Sequence, residues 1–156
     1  MKKEIERLRK GVAALIINKK NEVLLVNLVS FEHQFFAIPG GGLESDESTK
    51  DAVYREIQEE LGIDARSLEL VGISKEPIKF VFKTKKLYRY GIEYDGSERY
   101  FFGFKFTGND SEITIQEGEI RSYKWVPYDN LKDYLLFDNQ LEETSERLLE
   151  LFPFVK

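Results

Sequence analysis

The chain has 156 residues, 42% of them apolar, enough for one domain with its own core, so neither disulfides nor a structural metal are needed to fold it. The absence of cysteine excludes disulfides, thiolate metal sites and cysteine nucleophiles, and a net charge of -5 excludes a protein that coats nucleic acid through a general positive field. The charged opening from Met1 to Lys10 and the short apolar run from Val12 to Ile17 fit neither a signal core nor a membrane span, so a cytoplasmic location without a membrane partner is expected.

Val12 to Asn18 and Glu22 to Val29 are rich in Val, Ile and Leu and read as neighbouring strands joined by a hairpin turn at Lys19-Lys20-Asn21. Phe35 to Ile38 reads as a short third strand stopped by Pro39, and Gly40-Gly41-Gly42 as a loop whose backbone can approach a ligand closely. Ser48 and Asp51 resemble a capping box opening a helix that runs to Leu61, with Gly62 as its C-terminal cap. Leu68 to Ile73, Arg99 to Phe106, Glu112 to Ile115 and Tyr123 to Val126 read as further strands, the mostly apolar second one central. Asn139 to Phe152 closes the chain as an amphipathic helix with Leu141, Leu148, Leu149 and Phe152 turned toward the core. No repeat, linker or composition break divides residues 1–156, so the expected fold is a single α/β domain with a mixed sheet covered on both faces.

The internal helix carries the chemistry. At 100° per residue Val53, Ile57 and Leu61 share a core-facing stripe, while Glu56, Glu59 and Glu60 share an adjacent arc roughly 100° wide. Like charges at those spacings destabilise a helix by about 0.2 to 0.5 kcal/mol per pair. A glutamate run alone is usually a solvated surface. Here a triple glycine loop and Glu47 precede it, and carboxylates beside a close backbone suit magnesium, which prefers oxygen ligands and keeps positions open for water and phosphate.

Gly41, five residues, Glu47, seven residues and then Arg55-Glu56-Ile57-Gln58-Glu59-Glu60-Leu61-Gly62-Ile63 together resemble a complete Nudix box. The resemblance implies an α/β/α sandwich that holds Mg2+, with Mn2+ as a substitute, against a substrate diphosphate while water attacks one phosphorus. It assigns metal binding to Glu56, Glu59 and Glu60 with a carbonyl of Gly40 or Gly41, and a bracing role to Arg55 and Glu47. The general base is expected within the box, at Glu56 or Glu59, or in a later loop at Glu119, with Glu117 as its neighbour and competitor.

Beyond the box, Arg9, the run Phe101-Phe102-Gly103-Phe104-Lys105-Phe106-Thr107-Gly108, Trp125-Val126 and Phe137 resemble the branch of bacterial RNA pyrophosphohydrolases and plant-type dinucleoside tetraphosphate hydrolases. That branch places Arg9 and Phe137 near the nucleotide, although a core role serves Phe137 equally well. The branch's glutamine- and lysine-rich motif is replaced here by Gly96-Ser97-Glu98-Arg99-Tyr100, leaving Arg99 as the phosphate contact. Lys75, Lys79, Lys83, Lys85, Lys86 and Arg89 alternate with Phe80, Phe82, Tyr88 and Tyr90, a composition suited to phosphates and stacked bases or to a solvated hairpin. Lys83 and Lys85 are the substrate contacts expected from it. His33, the sole histidine, reads as a loop surface residue.

The expected reaction is Mg-dependent hydrolysis of a phosphoanhydride in a dinucleoside polyphosphate or a 5′-triphosphate RNA end, with nucleoside triphosphates and nucleotide sugars as alternatives. DNA is not an expected partner. A non-catalytic nucleotide-sensing module is the reading of another class, disfavoured by the full set of acids. The aromatic content is compatible with a homodimer and equally with a core.

Overall fold

The ten-residue strand β1 (Leu8–Ile17) is buried on both faces, and its side chains sort by parity. Val12, Ala14 and Ile16 enter one core cluster, and Ala13, Leu15 and Ile17 enter another on the opposite face. A strand of this kind must be central. The protein is described here from a computed structural model covering residues 7–88 and 91–156. Arg89 and Tyr90, named above with the basic run, lie outside the described residues.

Strand β2 (Val23–Leu28) follows the expected turn, where Asn21 takes φ 60° and the Asn18 side chain accepts from the Lys20 and Glu22 amides at 3.0 and 2.9 Å. The two strands part almost at once, pairing only at Ile17 and Val23. The chain from Ala37 to Gly42 fills the gap between them. Ala37 bridges Val26, the Ala14 amide donates to the Pro39 carbonyl at 2.8 Å, and β3 (Gly40–Gly42) pairs antiparallel with Gly11 to Ala13. The third strand is therefore the glycine run, and Phe35 to Ile38 contributes only the single Ala37 bridge. Glycine offers no side-chain pattern to read, and here its backbone alone makes the ladder.

Helix α1 (Thr49–Leu61) is capped as expected, with the Asp51 amide donating to Ser48 Oγ at 3.1 Å and Gly62 in the left-handed region at φ 65°. β4 (Leu68–Ile73) matches its expected position, and β7 (Ile120–Val126) ends where expected but begins three residues before Tyr123. β5 (Ile78–Leu87) was not expected as a defined strand, and β6 (Glu93–Phe106) begins well before Arg99 because its first half pairs with β5. The expected strand from Glu112 to Ile115 does not form. A 3-10 turn at Asp110–Glu112 leads into backbone whose Thr114 and Gln116 amides donate to the Leu61 and Glu60 carbonyls, closing the end of α1 rather than extending the sheet.

The sheet runs β4-β6-β1-β2-β7, with β3 attached to β1 and β5 to β6, and the β1–β6 pair is parallel while the others are antiparallel. α1 covers one face through Val53, Ile57 and Leu61, and α2 (Gln140–Leu151) covers the other through Leu148, with Phe152 just beyond it. This is the expected α/β/α sandwich. Among the described residues no helix is long and apolar enough to cross a membrane.

Phe152 is fully buried, and a Cβ on Gly103 would sit 2.9 Å from its ring, so the ring fills a space shaped for it. Phe152→Ala is expected to cost about 3 to 5 kcal/mol in urea unfolding, the range for losing a buried aromatic with incomplete collapse. A loss below roughly 1 kcal/mol would mean that α2 is not a stability element.

Candidate active site

Arg55 organises the acids of α1. Its Nε and Nη2 grip both oxygens of Glu47 at 2.7 and 2.8 Å, Nη2 also donates to the Gly42 carbonyl at 3.0 Å, and Nη1 donates to Glu56 at 3.0 Å and Glu59 at 3.2 Å. One guanidinium thereby joins helix, loop and β3. A planar fork makes such a bidentate grip where a lysine ammonium cannot. The Arg55 bond holds the Glu47 carboxyl below the usual carboxylate range, and Glu47 and Glu56 in turn hold Arg55 more firmly protonated.

Glu60 is the exception. It is 5% exposed, whereas the Glu59 side chain is half exposed. Burial first, then a hydrogen bond and charge from Glu56, then the charge of Glu119, push its carboxyl up to about 9, with only the Gly40 amide opposing. Among the described residues no three acids close into a finished metal cage. The donor set nevertheless fits a hard divalent cation: a buried carboxyl with no ion-pair partner among the described residues, a second carboxylate beside it, a third next to it on the helix, and bare glycine backbone against them. Gly41 stands so close to Glu56 that any Cβ there would strike the carboxylate, while a Cβ on Gly40 would strike the Val12 carbonyl. The two glycines thus bring bare backbone against the acids.

Two cavities open from this point, both lined by Gly40 and Glu60. The first, of about 300 Å³, runs past Arg99 to Phe137, Phe31 and Gln140. Arg99 is solvent-accessible but has protein on most sides, so desolvation lowers its pKa and Arg9 adds to that effect, while Glu143 and Glu60 oppose it. The Phe137 ring stacks on Phe35 at 4.6 Å and meets Phe31 edge-on at 5.1 Å, leaving 42% of the residue exposed at the cavity rim. The second cavity, of about 350 Å³, is lined by Glu119 and Gly118.

Of the residues expected from sequence, Glu47, Arg55, Glu56, Glu59, Glu60, Gly40 and Gly41 come together, and Arg99, Phe137 and Glu119 face the cavities beside them. Arg9 lies against Gly42, where any Cβ would strike its guanidinium. Lys83 and Lys85 are exposed on β5 outside both cavity linings, as are His33 and Glu117. Sequence reading missed Phe31, Phe35 and the pair, buried Asn27 and partly buried Arg121, that fixes their loop. Arg121 donates to Asn27 Oδ1 and to the Phe31 and Val29 carbonyls, and Asn27 Nδ2 donates to the Phe35 carbonyl at 2.6 Å. The available signal was Asn27 itself, a lone polar residue within a buried strand.

Residues 7–151 match the NUDIX domain family model. The chain belongs to the Nudix family. It is 30% identical over 153 residues to a Pelagibacter ubique protein named RNA pyrophosphohydrolase, covering 92% of this chain and 93% of that relative. Among solved structures, this Nudix chain is similar to the E. coli dihydroneopterin triphosphate pyrophosphohydrolase, with a TM-score of 0.71 at 16% identity over 94% of this chain and 99% of the other. It is also similar to a C. elegans Ap4A hydrolase, with a TM-score of 0.65 at 17% identity over 92% and 99% of the two chains. The protein is thus a Nudix pyrophosphohydrolase, and its box is the Arg55-centred assembly described above.

A carboxyl whose folded-state pKa stands above its unfolded value withdraws stability as it ionises. Without divalent ions, stability should fall as pH rises from 4.5 through about 9 on account of Glu60. Glu60→Gln is expected to flatten that slope in urea unfolding with a chelator present. Equal slopes in the two proteins would show that Glu60 is not the strained group.

Proposed function

We propose that this Nudix domain removes pyrophosphate from the 5′-triphosphate end of RNA in a magnesium-dependent reaction, leaving a 5′-monophosphate. The observation that carries the reading is one cavity lined by an acid, a cation and a ring, Glu60, Arg99 and Phe137, the three kinds of group that a metal-held diphosphate, the remaining phosphate and a nucleobase require. The match to proteins named RNA pyrophosphohydrolase along more than nine-tenths of the chain supports the same substrate class.

Glu56, Glu59 and Glu60, with the Gly40 and Gly41 carbonyls, would hold the cation. When bound, Mg2+ supplies positive charge beside the diphosphate and lowers the cost of deprotonating water. The protein's own groups do the positioning on which phosphoryl chemistry depends. Arg55 fixes the acids and the β3 backbone as one unit. Arg99 neutralises phosphate oxygens from the cavity floor, and the Phe137 ring, braced by Phe35 and Phe31, takes the first base. Glu119, which shares the second cavity with Glu60, accepts the proton of the attacking water, whose oxygen bonds to the α-phosphorus as the bond to the α–β bridging oxygen breaks and its electron pair leaves with the departing pyrophosphate.

A dinucleoside polyphosphate presents the same phosphates and base, and the fold-level likeness to an Ap4A hydrolase makes it the second substrate to test. Purified protein with magnesium should convert 5′-triphosphate RNA to monophosphate RNA and pyrophosphate, resolved by chromatography, and Glu60→Gln should lose that turnover by orders of magnitude. Near-normal activity in this variant would remove Glu60 from the metal site, and cleavage of diadenosine tetraphosphate alone would move the substrate class.

Phe137→Ala removes a stacking platform worth about 1 to 3 kcal/mol. The expected result is a KM raised on the order of tenfold with kcat little changed. An unchanged KM would assign Phe137 to packing only.

A further inference from the structure

We propose that the β5 strand is a docking ribbon for the single-stranded RNA that follows the triphosphate end. The inference rests on the RNA reading above for the identity of the chain that leaves the cavity.

β5 pairs only with the first half of β6, and among the described residues its other edge carries no strand. Phe80, Val81 and Leu87 are 60%, 54% and 68% exposed there. Residues 75–88 contain five lysines and a single acid, Glu76, in a chain whose net charge is -5. Among the described residues, Lys85 is the one lysine of β5 with an acidic partner within 4.0 Å, a long contact to Asp95 at 3.9 Å. The charge is therefore available, and it stands beside rings: Lys86 Nζ lies 4.6 Å from the Phe82 ring centre, and Phe82 lies 5.9 Å from Phe80. Cations interleaved with an exposed ring at Phe80 and a partly exposed one at Phe82 make a surface that tracks a single strand, phosphates on the lysines and bases on the aromatics.

The ribbon is also continuous with the site. Arg99 of the cavity floor pairs with Ile78, the first residue of β5. At the far end Tyr88 lies under the Arg9 guanidinium at 4.5 Å and against Tyr94 at 5.5 Å. Arg9 packs on Gly42, whose carbonyl is held by Arg55. Cations and rings thus lead from the acid cluster onto a strand of ten residues, about 30 Å at the usual strand rise, long enough for several nucleotides.

A second copy of the chain is the other partner that an open strand edge could accept. Pairing two β5 edges would set lysines opposite lysines, and like charges facing across strands are destabilising. A polyanion gains from the same charges.

The test uses the full chain and two probes. A fluorescent 5′-hydroxyl dodecanucleotide RNA reads chain binding by anisotropy at several salt concentrations, and 5′-triphosphate dinucleotide and dodecanucleotide RNAs read kcat/KM. The variant combines Lys83→Glu, Lys85→Glu and Lys86→Glu, with a matching glutamine set and thermal melts as the folding control. The wild type is expected to bind the dodecamer and to prefer the longer triphosphate substrate by about tenfold. The variant should lose that preference, and its log Kd against log salt slope should fall by about two, near 0.7 for each lost contact. Ribbon-dependent binding without hydrolysis of any triphosphate end would uphold the ribbon while ending the proposed reaction. Unchanged affinity and slope in the variant, or no dodecamer binding by the wild type, would overturn the ribbon. So would sedimentation showing a dimer that the substitutions dissolve while RNA affinity stays the same.

Discussion

The cleft depends on how closely three consecutive residues pass between β1 and α1. At Gly40 the obstacle is the Val12 carbonyl, fixed backbone that cannot yield. At Gly41 and Gly42 it is the working end of a side chain, first Glu56 and then Arg9. The first glycine is thus a condition of the fold, and the other two are conditions of the site. Because β1 and β2 separate after one pair, this bare backbone can occupy the gap and lie against the Glu56 carboxylate. A run with side chains would fill that space and push the acids outward.

The same geometry explains how a helix tolerates three glutamates on neighbouring turns. Arg55 balances Glu56 and Glu59 and binds Glu47 through both oxygens, so part of the cluster is neutralised by the protein itself. Glu60 is left out of that arrangement, and burial keeps its proton on. An uncompensated buried carboxyl costs stability in the isolated fold and lends affinity for a cation, so the two properties are one electrostatic fact viewed from different states. Arg99 is a counterpart of opposite sign, an arginine that surrounding protein partly desolvates, with Glu143 as its main favourable charge.

Much of this was legible in the chain. The caps of α1, its Val53, Ile57 and Leu61 stripe, and the aliphatic runs of β1 and β2 follow from side-chain pattern, and each stands where the pattern puts it. The box acids were legible as a set, but which of them is buried was less plain; Glu60 stands three residues after Ile57, at the margin of the core stripe, and that spacing carried the signal. Where backbone rather than side chains decides, pattern fails. β3 has no side chains to read, and Glu112 to Ile115 reads as a strand, yet the Thr114 and Gln116 amides there go to the end of α1. β5 mixes lysines and rings in a way that serves a solvated hairpin equally well, and Phe31 and Phe35 are set by the Asn27 and Arg121 contacts, which join positions 94 apart.

The parallel pairing of β1 with β6 has a consequence for how the molecule comes into being. Arg7 and Asp95 meet across 88 positions of sequence, and the long β1–β6 ladder joins residues equally distant. A nascent chain emerging from the ribosome can complete α1 early, but β1 has no neighbour on that side until β6 has been synthesised. Non-local pairing of this kind slows folding, since loop closure must precede the contacts that reward it. The exposed, unpaired β1 is meanwhile a site for mispairing and chaperone attention. The surroundings of the acid cluster therefore assemble late in biogenesis, because Arg9 and Arg99 become neighbours only when that ladder closes.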